Sequence, residues 1–146
     1  MAGDPVYDAI RDKLTAILAL LAITSPTWSV KDTDAENPDA SAAYIQIRFE
    51  GGFEKIFARG GTGTNLWKEE GQVFIDFLVP LGFTNGRELQ ETYSRAVREG
   101  LRGAMFNCSK GRVEIETVGT LGGPQVGSTG MNERTVGISY RIYNVG

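Results

Sequence analysis

The residues able to carry chemistry are few. The 146-residue chain has no histidine and one cysteine, Cys108. Without an imidazole, no Cys–His pair can activate a thiolate, and no His-bearing set can hold a metal or shuttle a proton near neutral pH. Cys108 therefore reads as a partly buried structural thiol, and a single cysteine permits no intrachain disulfide. Acids are abundant, with 18 Asp and Glu in all, but nothing in their spacing selects a catalytic pair. Asp32, Asp34, Glu36 and Asp39 crowd one short stretch. They lack the central glycine and closing glutamate of a calcium loop, so a solvated connection is the better reading. Gly60-Gly61-Thr62-Gly63-Thr64 invites comparison with a phosphate loop. No lysine follows it, it leads into a strand, and Leu66 stands where a dinucleotide fingerprint needs its third glycine. The expectation is a chain with no catalytic residue, no cofactor and no metal.

Composition narrows the class further. The length fits one domain spanning residues 1–146, and 41% hydrophobic residues can supply a core. The net charge of −3, with basic residues scattered, argues against sequence-specific nucleic-acid binding. The longest apolar run, Ala16 to Ile23, is far short of the ~20 residues that cross a membrane. Asp4 and Asp8 stand where a signal peptide would carry positive charge, so assembly in the cytoplasm is expected.

Two helices and four strands must position whatever surface acts. A first helix is expected from Pro5 to Ala22, capped by Asp4, with Val6, Ile10, Leu14, Ile17, Leu18 and Leu21 as its apolar stripe. Residues 24–42 read as loop. A strand over Ala43–Glu50 places Ile45, Ile47 and Phe49 on one face, and Gly51-Gly52 should interrupt it before the apolar patch of Phe53, Ile56 and Phe57. Residues 58–70, including Arg59 and Trp67, read as a glycine-rich loop. Gln72–Val79 alternates Val73, Ile75, Phe77 and Val79 inward, and Pro80 and Gly82 end it. A second helix from Gly86 to Arg102 carries Leu89, Tyr93, Ala96, Val97 and Leu101, with Asn85 and Glu88 placed as a capping box. Strands over Arg112–Val118 and Glu133–Val145 flank a glycine-rich loop, Gly119–Asn132.

These surfaces match in an α+β fold of order α-β-β-α-β-β. It would be a two-layer sandwich with a mainly antiparallel sheet of four or five strands and two helices on one face. The outer face of the second strand is unusual, because Phe74 and Leu78 flank Asp76 there, with Tyr44 and Tyr143 able to lie near. Either Trp67 or Phe53 folds over this patch, or it is a subunit contact. The candidate interface residues are Tyr44, Phe53, Phe57, Arg59, Trp67, Phe74, Asp76, Leu78 and Tyr143.

The block from Asn65 to Gly103, NLWKEEGQVFIDFLVPLGFTNGRELQETYSRAVREGLRG, joins a Trp-Lys-Glu-Glu-Gly approach, a strand ending in Val-Pro-x-Gly and an amphipathic helix. It resembles the tail terminator (tail completion) proteins of long-tailed phages. The resemblance also takes in the opening helix and the long polar loop. It implies a structural virion protein without chemistry, located at the head-proximal end of the tail. Its members form a ring, usually hexameric, that meets the major tail tube protein on one side and a head-neck connector protein on the other. The resemblance does not account for the long Gly119–Asn132 segment. The alternatives are another neck protein, either a head-tail connector or a more strand-rich head-closure protein, and a small-ligand module using the glycine loops.

Overall fold

Helix α1 (Pro5–Ala19) opens the chain in a computed structural model that describes residues 5–19, 29–32, 44–61, 63–80, 86–126 and 131–145. Val6, Tyr7, Ile10, Leu14 and Ile17 are its buried residues, so the expected stripe holds from Val6 to Ile17 and gains Tyr7, while Leu18 is only partly buried at its edge. Asp4, Leu21, Asn85 and most of the acidic stretch lie outside the described residues. After α1 come β1 (Ser29–Asp32), β2 (Tyr44–Ala58) and β3 (Leu66–Pro80). Helix α2 (Gly86–Leu101) follows, then β4 (Met105–Cys108), β5 (Gly111–Val126) and β6 (Met131–Val145).

The strands form one six-stranded sheet in the order β1-β2-β3-β6-β5-β4. Only β1 and β2 run parallel among the pairs described. The fold is thus α+β and mainly antiparallel, as expected, but the element order gains two short edge strands, β1 and β4. Four residues apiece carry too little periodicity to separate such strands from loop.

Three glycine-rich segments differ from expectation. Gly51-Gly52 does not interrupt β2, because a register shift between Phe49 and Gly51 absorbs one residue as a bulge and pairing continues to Ala58. A Cβ on Gly52 would lie 2.4 Å from the Glu70 carbonyl oxygen, so that position requires glycine. The expected loop over 58–70 shrinks to a turn between β2 and β3. There Gly61 (φ 100°) and Gly63 (φ 83°) take conformations that other residues rarely adopt. The Thr64 amide donates to the Gly61 carbonyl (3.0 Å), and the Gly60 amide donates to Asn65 Oδ1 (3.1 Å). The phosphate-loop lookalike is therefore a hairpin turn. The expected Gly119–Asn132 loop is mostly strand, with β5 and β6 paired out to Val126 and Asn132. Its glycines have no side chains to signal a strand, and the partner strand supplies the hydrogen bonds that stabilise one. Pro124 falls within the register shift between Leu121 and Gln125, where a missing amide donor does least harm.

The core occupies one face of this sheet. Ile45, Ile47, Val73, Ile75, Phe77, Val79, Val113, Ile115, Val136, Ile138, Tyr140 and Ile142 join the buried residues of α1 together with Tyr93, Val97 and Leu101 of α2. Phe49 stacks on Tyr140 (ring centroids 6.1 Å apart) and meets the Tyr7 ring edge-on at 6.0 Å. Gly52 and Gly71 pair beside Tyr140 in register, so no side chain on β3 separates these rings. Helix α2 is tied to the sheet by polar contacts too. The buried Gln90 donates from Nε2 to the Phe77 carbonyl (2.9 Å), Glu91 pairs with Arg134 (2.5 Å), and Arg98 donates to Thr120 Oγ1 (3.0 Å). Gly103 (φ 68°) ends the helix, with the Arg102 amide donating to the Arg98 carbonyl.

Two stability predictions follow from this packing. Ile75→Ala, at a fully buried position, should lower unfolding free energy by about 2–5 kcal/mol, whereas Leu18→Ala, at the cluster's edge, should cost about 1 kcal/mol. Gly100→Ala should destabilise despite alanine's better helix propensity. Its Cβ would meet Ile17 Cδ1 at 2.7 Å, and overpacking of about 1–3 kcal/mol outweighs a gain of about 0.5–1. Urea titrations of Gly100→Ala, Ile17→Val and the double variant should show that shortening Ile17 relieves part of the Gly100→Ala loss; additive losses would refute the clash.

Candidate interface on the helix-free sheet face

The period of a strand sends alternate side chains to opposite faces. Since Val73, Ile75 and Phe77 face the helices, Gln72, Phe74, Asp76 and Leu78 face away from them. Register extends this second face across the sheet. Arg48 lies opposite Phe74, which lies opposite Gly137, which lies opposite Gly119. The next row runs Gln72, Ser139, Thr117, and the one after it Phe53, Glu70, Arg141, Glu114.

A charged network closes one end of the face. Arg48 donates from Nε to Asp76 Oδ2 (2.6 Å) and from Nη2 to Oδ1 (3.0 Å), and Thr135 donates to Asp76 Oδ1 (2.6 Å). Asp76 is 8% exposed, so its charge is tolerated only because these donors surround it. The Arg48 guanidinium also covers the Phe74 ring, 5.0 Å from its centroid. The Asp76 hydrogen bond raises the Arg48 pKa further, which keeps the guanidinium charged at any physiological pH.

A second network lies toward the other end. Arg141 donates from Nε to Glu114 Oε2 (2.7 Å) and sits 3.3 Å from Glu116 Oε1. The register shift between Ile115 and Thr117 re-aims Glu116, so that two carboxylates share one guanidinium. Lys68 bonds Glu70 and holds the Glu70 carboxyl below its ordinary range. Between the networks the side chains are small, and two shallow depressions of about 500 and 460 Å³ share Gln72 and Ser139. The first is lined by Glu50, Phe53, Glu70 and Glu116, the second by Phe74, Val118, Gly119 and Gly137. A Cβ added to Gly119 would meet nothing within 4 Å.

The structure separates the candidate residues into groups. Phe74 and Asp76 come together under Arg48. Leu78 shares their face but is 2% exposed, so a charge placed there would disturb folding as well as any contact. Tyr44 pairs with Leu78 in register, and the backbone of Phe57 lies in β2 at the shift between Ile56 and Ala58. Phe53 is 89% exposed and does not cover Phe74. Trp67 stands at an alternate position of β3, on the opposite face from Phe74, so it does not fold over the patch either. Arg59 is exposed in the hairpin turn, and Tyr143 is half-buried beside Lys68. Arg48, Thr135, Arg141, Glu114 and Glu116 are missing from the candidates. Their outward parity was readable from the sequence, but their meeting depends on β6 lying between β3 and β5. Among the described residues no group of three or more acids or cysteines is placed to hold a metal, and no helix is long and apolar enough to cross a membrane.

No protein-family model matches the chain, and no curated protein matches it in sequence. Solved structures do match. One, whose description states no function, aligns at a TM-score of 0.63 with 19% identity, over 100% of this chain and 96% of its own. That likeness shows a shared fold. Another, a chain from the virion of a native gene transfer agent particle, aligns at a TM-score of 0.48 with 18% identity, over 94% of this chain and 92% of its own.

The Asp76 network generates a prediction of its own. Asp76→Ala leaves the Arg48 guanidinium and the Thr135 hydroxyl without their acceptor. Because Arg48 is partly solvated, the loss should be about 1–3 kcal/mol rather than that of a fully buried pair. Arg48→Ala with Asp76→Ala should cost less than the sum of the single changes in urea denaturation, and strict additivity would remove the coupling.

Proposed function

We propose that this chain is a structural component of a phage-like virion that caps the tail tube as a closed ring, stopping its polymerisation and offering a surface for head attachment. The observation that carries this reading is the wide sheet face that neither described helix covers, bearing an exposed Phe53, a half-buried Phe74 and acids at its rim. Such a face suits contact with other protein better than turnover of a small molecule, because its depressions are shallow and most of its charges are already paired within the chain. The sequence resemblance over Asn65–Gly103 to tail terminators makes the contact concrete. In that reading the partners are further copies of the chain, six by the family's habit, the major tail tube protein and a head-neck connector protein. The physical logic is that a heterologous contact closing on itself ends growth, whereas the tube below can extend without limit.

One observation favours a second reading. The sheet has more strand than the sequence suggested, and a strand-rich composition is what a head-closure protein would present. Deleting the gene from the virus separates the two. Under the tail-capping reading, filled heads should accumulate with tails of abnormal length or tails unable to join them. Tails of normal length beside heads that leak DNA would favour head closure, and normal, joined tails would refute both.

A further inference from the structure

We propose that copies of the chain join edge to edge, with β4 of one copy beside the distal half of β2 of the next, so that Met105 meets Phe53 across the junction. The inference rests on the ring reading above and names the contact that would build it. Among the described residues, β1 covers the outer edge of β2 only from Tyr44 to Ile47, and no strand lies beside that edge from Arg48 to Ala58. Gly52 to Lys55 are exposed there. On the far side of the sheet, β4 covers the outer edge of β5 only from Gly111 to Glu114. The Ile115 amide still donates to the Ala104 carbonyl (3.0 Å), and beyond it the edge from Thr117 to Val126 is open among the described residues. An open edge presents a row of backbone donors and acceptors, which is a template for another strand.

The two edges are steps of opposite sense. Register carried across the sheet sets Met105 level with Phe53 and Asn107 level with Lys55, at the hairpin end. It sets Ser29 level with Gln125 and Asp32 level with Thr120, at the other end. The strand missing from one edge at a given level is therefore present on the opposite edge. Copies placed side by side without offset fit these steps together. β4 fills the gap beside β2 of the next copy, running parallel to it, and β1 of that copy fills the gap beside β5, running antiparallel to it.

The side chains favour this level fit. Phe53, 89% exposed, and Met105, 56% exposed, are the strongly exposed large hydrophobics among the described residues. They end one row on one face, Phe53, Glu70, Arg141, Glu114, Met105. Within a copy they are four strand spacings apart, about 19 Å, and cannot touch. The junction makes them cross-strand neighbours, which buries both and places a thioether against a ring. Glu70 and Glu114 between them keep their own partners, Lys68 and Arg141. The joined edges are different parts of one chain, so the contact is heterologous, which is the kind that generates rings when the rotation closes.

The test uses the full chain in solution, with assembly followed by sedimentation and native mass, and folding by circular dichroism. Phe53→Asp and Met105→Asp each place a charge in the junction at a position exposed in the single copy. Each variant should stay folded and need a concentration about ten- to hundredfold higher to assemble. Cross-linking reads the contact directly. In a Cys108→Ser background, Phe53→Cys combined with Met105→Cys should be joined by a short bifunctional thiol reagent into a covalent series of copies that ends at the full ring. Neither new cysteine alone should give linked copies, and an equimolar mixture of the two single-cysteine chains should give linked pairs. Assembled rings that yield no linked series, or Asp variants that assemble at wild-type concentrations, would overturn the edge contact while leaving the ring reading standing. A wild-type chain that stays monomeric, or stops at two copies, would overturn both. Should an Asp variant fail to fold, the cross-linking decides the outcome by itself.

Discussion

The structure depends on β3 being hydrogen-bonded along both edges for nearly its full length. Leu66 to Leu78 pairs with β2 on one side, and Leu66 to Pro80 pairs with β6 on the other. A strand so held cannot slip by one residue, because a slip would turn Val73, Ile75, Phe77 and Val79 out of the core and bring Asp76 into it. Every other assignment of a residue to a face is inherited from this register through the neighbouring strands.

The two faces solve different physical problems. The helix-covered face is apolar and closely packed, and two amphipathic helices provide the cover. Their hold is reinforced where Gln90 and Glu91 bond to β3 and β6. The other face lacks that cover, and most of its charges lie in cross-strand pairs. Each exposed pair adds little stability. Their arrangement matters more for what can approach, since Arg48 shields Phe74 at one end while Glu50, Glu70 and Glu116 gather at the other.

This division bears on the functional reading. The helix-free face carries glycine, serine and threonine between two charged networks, so its middle is low and open. It is poorly suited to enclosing a small substrate, which needs a deeper and drier cavity.

Much of the fold was legible in the sequence, because period and punctuation are local. The stripe Val6, Ile10, Leu14 and Ile17 marked α1, the alternation from Val73 to Val79 marked the core face of β3, and Tyr93, Val97 and Leu101 marked α2. Phe74 and Asp76 were also correctly placed on the outer face by parity alone. Glycine-rich segments were the limit. Gly51-Gly52 and Gly119–Val126 read as breaks, yet they are strand because partner strands supply hydrogen bonds that local propensity does not reveal. The strand order β2-β3-β6-β5 was equally out of reach. Only tertiary pairing brings Arg48 and Thr135 to Asp76 from chain positions 28 and 59 residues away, and sets Gly119 beside Gly137. Sequence alone determined which side chains face which way on each element; the tertiary structure decided which of them meet, since register between distant strands is fixed by pairing across the whole sheet.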